Sequence, residues 1–118
     1  MKVLLVDDNQ DITDLLSKFL KAKGFENVTT NDPREGLERI KTEKYDIVFL
    51  DIQMPELSGV DIIHALEIEN ILKDQNIIIF SAHNFTNGEI NDLLRKEGIR
   101  ACLKKPLQLS EIISTIAG

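Results

Sequence analysis

Two runs of the chain, Ile47-Val48-Phe49-Leu50 and Ile77-Ile78-Ile79-Phe80, are apolar at every position. A strand with one solvated face alternates apolar and polar residues, so an unbroken apolar run marks a strand covered on both faces. Such strands need helices on both sides, and the remaining sequence supplies them. Lys2–Val6 reads as the first strand. Ile12, Leu15, Leu16, Phe19 and Leu20 follow at i, i+3, i+4, i+7 and i+8, the buried stripe of a helix that Gly24 stops. Phe25–Thr30 is a weaker strand. Asp32 reads as an N-cap with Pro33 at the first helical position, opening a helix that runs to about Lys41. Asp46–Leu50 is the third strand, and a helix extends from near Val60 to about Glu69. After the fourth strand, Ile77–Phe80, Thr86 and Glu89 form a T-x-x-E capping box for a helix ending at Gly98. Ile99–Lys104 is the last strand, and a final helix presents Ile112, Ile113 and Ile116. The unit βα thus occurs five times. That pattern dictates an α/β three-layer sandwich, a parallel sheet with right-handed crossovers and helices on both faces.

Composition narrows the function class. A length of 118 residues suits one domain, residues 1–118, with no room for a second core. The formal net charge of −6 argues against a direct nucleic-acid partner, which requires a basic face. No apolar run approaches the length of a membrane span, and the start MKVLLVDDN lacks the pattern of a signal peptide. The single cysteine, Cys102, excludes an internal disulfide and fits a reducing, cytoplasmic setting.

In an open α/β sheet ligands bind outside the carboxyl ends of the strands. Just past the first strand stand Asp7 and Asp8; past the third, Asp51; past the fourth, Ser81; past the fifth, Lys104, Lys105 and Pro106. The second strand contributes nothing distinctive and reads as an edge. Two like charges about 4 Å apart repel by roughly 4 kcal/mol at an effective dielectric of 20, so three carboxylates on one rim must take up protons or bind a cation. All-oxygen ligands without His or Cys suit a hard ion, Mg²⁺ or Mn²⁺. A cation, a lysine and a hydroxyl around one carboxylate are the parts of a phosphoryl-transfer site, and carboxylates do accept phosphoryl groups.

The ordered motifs VLLVDDN, VFLDIQMPELSG, IIIFSAH and CLKKP resemble the receiver domain of two-component response regulators, the group that includes the chemotaxis regulator. The resemblance spans essentially the whole chain and implies a flavodoxin-like sheet of order 2-1-3-4-5. It implies that Asp51 is the phospho-accepting nucleophile, that Asp8 binds Mg²⁺ directly with Asp7 close by, and that the Gln53 backbone carbonyl is a further metal ligand. It assigns Ser81 to the phosphoryl group, with Ala82 leaving room, and makes Lys105 the family's lysine, with Lys104 facing solvent. The implied partners are a histidine kinase or histidine phosphotransfer protein as donor and a downstream effector as target, and the resemblance admits a phosphorylation-dependent dimer. The domain is then a signalling switch rather than an enzyme, with output around its fourth helix, fifth strand and fifth helix. The sequence departs from the pattern at Cys102, where many receivers carry an aromatic that swings inward. His83 and Gln53 occupy positions that influence phosphoryl lifetime in the family.

Each residue has a plainer reading. In that reading Asp7-Asp8-Asn9 do no more than cap the first helix, whereas their pairing with Asp51 favours the metal site. Asp46 lies at the wrong end of the sheet and reads as a loop residue. Met54-Pro55 reads as a rigid turn and Gly59 as a permissive turn before the third helix. His64 reads as a surface residue. A small haloacid-dehalogenase-like phosphatase or phosphotransferase is the competing enzyme class. It places a second acid two residues after its nucleophile, where Gln53 follows Asp51 and Asn9 follows Asp7.

Overall fold

The computed structural model describes residues 1–81 and 86–117. The elements are β1 (Lys2–Val6), α1 (Gln10–Ala22), β2 (Glu26–Thr30), α2 (Pro33–Thr42), β3 (Ile47–Asp51), α3 (Gly59–Ile68), a 3₁₀ turn (Leu72–Asp74), β4 (Ile77–Ser81), α4 (Asn87–Leu94), β5 (Ile99–Lys104) and α5 (Leu109–Ala117). All neighbouring strands are parallel, in the order β2-β1-β3-β4-β5. This is the flavodoxin-like (βα)5 arrangement that the sequence implies.

The two apolar runs become β3 and β4, buried at every residue. Alternate residues build two cores. Val3, Leu5, Ile47, Phe49, Ile78, Phe80 and Leu103 pack on one side with Leu16 and Leu20 of α1 and Ile112 and Ile116 of α5. The Phe49 and Phe80 rings stack there with centroids 5.3 Å apart. Leu4, Val6, Val48, Leu50, Ile77, Ile79 and Ile99 pack on the other side with α2, α3 and α4.

The helix signals hold, with instructive differences. Asp32 caps α2 through the Arg34 N–H, and Thr86 and Glu89 cap α4 reciprocally. Gly24 takes φ +87° just beyond α1. α4 ends at Leu94, not at Gly98. Gly98 instead sits in the connection to β5 at φ +103°, where its carbonyl accepts from the Ile77 N–H at 2.8 Å and any Cβ would collide with the Leu72 carbonyl. Leu15 is 57 % exposed rather than part of the buried stripe. One helical step from Leu16 is about 100°, so only one of two adjacent leucines points fully at the sheet. The inward place is taken by Thr13, whose hydroxyl donates to the Gln10 carbonyl and accepts from the Asn31 amide.

Candidate functional site

Asp7, Asp51 and Lys105 extend the alternation of Val3 and Leu5, of Ile47 and Phe49, and of Ala101 and Leu103, so all three emerge on the α1–α5 side of the sheet. They meet there. Lys105 Nζ lies 3.1 Å from Asp7 Oδ2 and 3.3 Å from Asp51 Oδ2. Asp7 and Asp51 are 1 % and 2 % exposed, Asp8 is exposed, and the three can bring carboxylate oxygens within 4.8 Å of one another.

Local turns hold the acids in place. Asp7 Oδ1 accepts from the Asn9 N–H at 2.9 Å, and Asp51 Oδ1 accepts from the Gln53 N–H at 3.2 Å. The cap of α1 is Asn9, which accepts from the Ile12 N–H. Helix capping therefore does not explain Asp7 or Asp8. The remaining oxygen of Asp7, Oδ2, is fully buried and has the Lys105 charge beside it but no aligned hydrogen bond. A buried carboxylate oxygen without a directed donor, next to two more carboxylates, fits a hard divalent cation.

The electrostatics agree. Burial first, then the negative charge of Asp7, pushes the Asp51 carboxyl up to about 7, against the pull of Lys105 and the Gln53 N–H. Burial alone would lower Lys105, but Asp51 and Asp7 together hold its ammonium above the ordinary lysine range. One lysine is too little positive charge for three acids at neutral pH.

Gly59 is not a permissive turn. It is the first residue of α3, where Ser58 and Asp61 form a capping box, and the positive φ of this loop belongs to Glu56 at 68°. Gly59 is needed for space. Its N–H donates to the Ile52 carbonyl at 2.8 Å, and a Cβ there would lie 2.7 Å from Ile52 Cα and clash with the Asp51 carbonyl oxygen. Gly59→Ala is therefore expected to destabilise the protein by about 2 kcal/mol, the scale of forced overpacking. Denaturant unfolding checks this; a loss no larger than that of Gly88→Ala, where a Cβ meets only one side-chain atom near 4 Å, would remove the steric account.

Other expectations divide. Lys104 and His64 are exposed, His64 with Nδ1 3.8 Å from Glu67. Asp46 accepts from the Lys2 N–H at 2.7 Å at the start of the strands, a structural tie remote from the rim. Gln53 reaches Asp51 through its backbone while its side chain is exposed. Ser81 is buried, and its hydroxyl lies 3.3 Å from Cys102 Sγ. Ala82 and His83 lie outside the described residues. The second strand is an edge, yet its end does contribute. Asn31, just past β2, donates from its amide to the Asp7 carbonyl at 2.8 Å and to the Thr13 hydroxyl at 3.0 Å, fixing the loop that carries the acids. Asn31 and Thr13 escape sequence reasoning because a hydrogen bond between residues eighteen positions apart leaves no periodic trace.

A family model described as the response regulator receiver domain matches residues 3–117. The chain belongs to that family. Receiver domains are signalling modules that work with kinases and effectors. The polar-differentiation response regulator DivK of Brucella anthropi is 28% identical over 114 residues, covering 97% of this receiver and 91% of DivK. A transcriptional regulatory protein CpxR homolog of Haemophilus influenzae is 34% identical over 98% of this receiver, which spans only 48% of that longer protein. Among solved structures, the receiver domain of the Francisella response regulator 1452 superposes with a TM-score of 0.84 at 31% identity, covering 98% of this receiver and 93% of that chain. No observation favours the haloacid-dehalogenase reading. Among the described residues, no helix is long and apolar enough to cross a membrane.

Proposed function

We propose that this receiver, residues 1–118 acting as one unit, is a phosphorylation switch in which Asp51 accepts a phosphoryl group from the phosphohistidine of a kinase or phosphotransfer protein. The observation that carries the reading is the Lys105 ammonium bridging Asp7 and Asp51 beside an all-oxygen cluster. Mg²⁺, or Mn²⁺ in its place, would be held by Asp7, Asp8, Asp51 and the Gln53 carbonyl, and when bound it supplies positive charge against the transferring oxygens. Family membership supports that requirement, since receiver domains generally depend on Mg²⁺.

The protein's own groups account for the rest. An Asp51 oxygen attacks phosphorus; the new O–P bond forms as the P–N bond breaks, and its electron pair returns to the donor imidazole. Asp51 attacks as the carboxylate, so the acceptor must lose its proton before transfer. Lys105 already stands between the acids and can follow the new charge from Asp51 to the phosphoryl oxygens. Ser81 is the candidate hydroxyl donor to the same oxygens, and His83 and the Gln53 side chain are the candidate modulators of phosphoryl lifetime. The added charge would then bias the α4–β5–α5 surface toward an effector or a second copy of the chain, in a cytoplasmic setting consistent with the lone thiol.

Incubation with acetyl phosphate and Mg²⁺ tests the assignment. Wild type should gain one phosphoryl mass, and Asp51→Asn should gain none. Labelling that persists in Asp51→Asn would refute Asp51 as the acceptor, and sustained turnover of a phosphate ester would revive an enzymatic reading.

A further inference from the structure

Ser81 and Cys102 stand apart from the acids and the lysine. Ser81 continues Ile77 and Ile79 along β4, and Cys102 pairs with Ile79 across the β4–β5 ladder. Both therefore belong to the side of the sheet covered by α2, α3 and α4, where Cys102 packs against the core. Asp7, Asp51 and Lys105 emerge on the other side. The Ser81 hydroxyl, buried, approaches Cys102 Sγ at 3.3 Å.

A serine hydroxyl has one hydrogen to donate and a small set of staggered rotamers. The oxygens of a phosphoryl group on Asp51 act as acceptors, so Ser81 can serve them only as a donor. From the side of the sheet where it now lies, it must change rotamer to do so, and that change takes it away from the thiol.

We propose that Cys102 is a positioning residue for Ser81: its thiol holds the hydroxyl turned away from Asp51, and an incoming phosphoryl group must compete with the thiol for it. This rests on the reading of Asp51 as phosphoacceptor. In this chain the residue where many receivers carry an aromatic thus acts directly on the hydroxyl, through a hydrogen bond rather than through packing. A purely packing role for Cys102 would alter stability without making its effect depend on Ser81.

The test uses beryllofluoride, a phosphoryl mimic whose fluorines only accept hydrogen bonds, titrated calorimetrically with Mg²⁺ present. One hydrogen bond of ordinary net worth corresponds to roughly a threefold to tenfold change in affinity. Cys102→Ala should bind beryllofluoride tighter by about that factor, and Cys102→Ser, which returns a hydrogen-bonding partner, should restore wild-type affinity. In a Ser81→Ala background, Cys102→Ala should change nothing. Because Cys102 is the only cysteine, its S–H stretching band can be followed without labels. The band should move when beryllofluoride binds, and Ser81→Ala alone should move it in the same direction. Equal or weaker binding by Cys102→Ala, or the same effect of Cys102→Ala in the Ser81→Ala background, would overturn the proposal while leaving Asp51 as acceptor intact. Failure of wild type to bind beryllofluoride at all would remove the Asp51 reading, and this inference with it.

Discussion

Without divalent metal at pH 8, Asp51→Asn should be more stable than wild type, by about 3 kcal/mol. The cause is the burial of a carboxylate beside Asp7, which raises Asp51 from 3.8 to about 7. A carboxyl raised in the folded state binds its proton more tightly there than in the unfolded chain. Folding therefore takes up protons between about pH 4 and 7, and stability falls as pH rises through that window. At 1.36 kcal/mol per pH unit the full displacement corresponds to about 4 kcal/mol; replacing the acid by its amide recovers most of this, less whatever Lys105 loses with its second partner. Lys105 keeps Asp7 at 3.1 Å, so the variant does not strand a buried ammonium. The raised pKa of Lys105 has its own window: its contribution is fully present below about 10.5 and is lost only above that, outside the comparison. Denaturant unfolding from pH 4 to 8 should show wild type losing stability steeply and Asp51→Asn hardly at all, with the curves converging near pH 4. Parallel curves would mean that Asp51 titrates normally and that the site carries no electrostatic strain.

Adding Mg²⁺ should reverse much of that penalty. An ion bound only by the folded state stabilises it by mass action, about 2.7 kcal/mol when its concentration is a hundred times the dissociation constant. The effect should be larger at pH 8 than at pH 5.5, because the proton on Asp51 and the cation compete for the same oxygens. Asp8→Ala should abolish most of the gain in melting temperature. Asp8 is exposed, so its truncation should barely alter the metal-free protein, and the comparison isolates the ion. A wild-type Mg²⁺ response in Asp8→Ala would take Asp8 out of the site; no response in wild type would dismiss the cation site altogether.

What could be read from sequence, and what could not, follows from the range of the interactions involved. The sheet was legible because Ile47–Leu50 and Ile77–Phe80 are apolar throughout and because Asp32, Thr86 and Glu89 mark helix starts through partners two or three residues away. The Asp7–Asp51–Lys105 cluster was legible because strand ends in a parallel sheet share one rim. Distant and steric relations were not. Thr13 is buried through Asn31, eighteen positions away. Leu15 fits the helical period but points past the sheet. Gly59 looks like a loop glycine until the Asp51 carbonyl is seen lying where its Cβ would be. The direction of the Ser81 hydroxyl depends on which residue of β5 lies diagonally across from it, and pairing register is a property of the assembled sheet.

The close approach of Gly59 to the Asp51 peptide has a mechanical side. With the Gly59 N–H bonded to the Ile52 carbonyl and the start of α3 pressed against the Asp51 peptide, the proposed acceptor is mounted against a backstop. Were its side chain to gain mass and charge, the main chain behind it would have nowhere to recoil. The displacement would have to be taken up in front, where the Lys105 ammonium faces Asp51 at 3.3 Å.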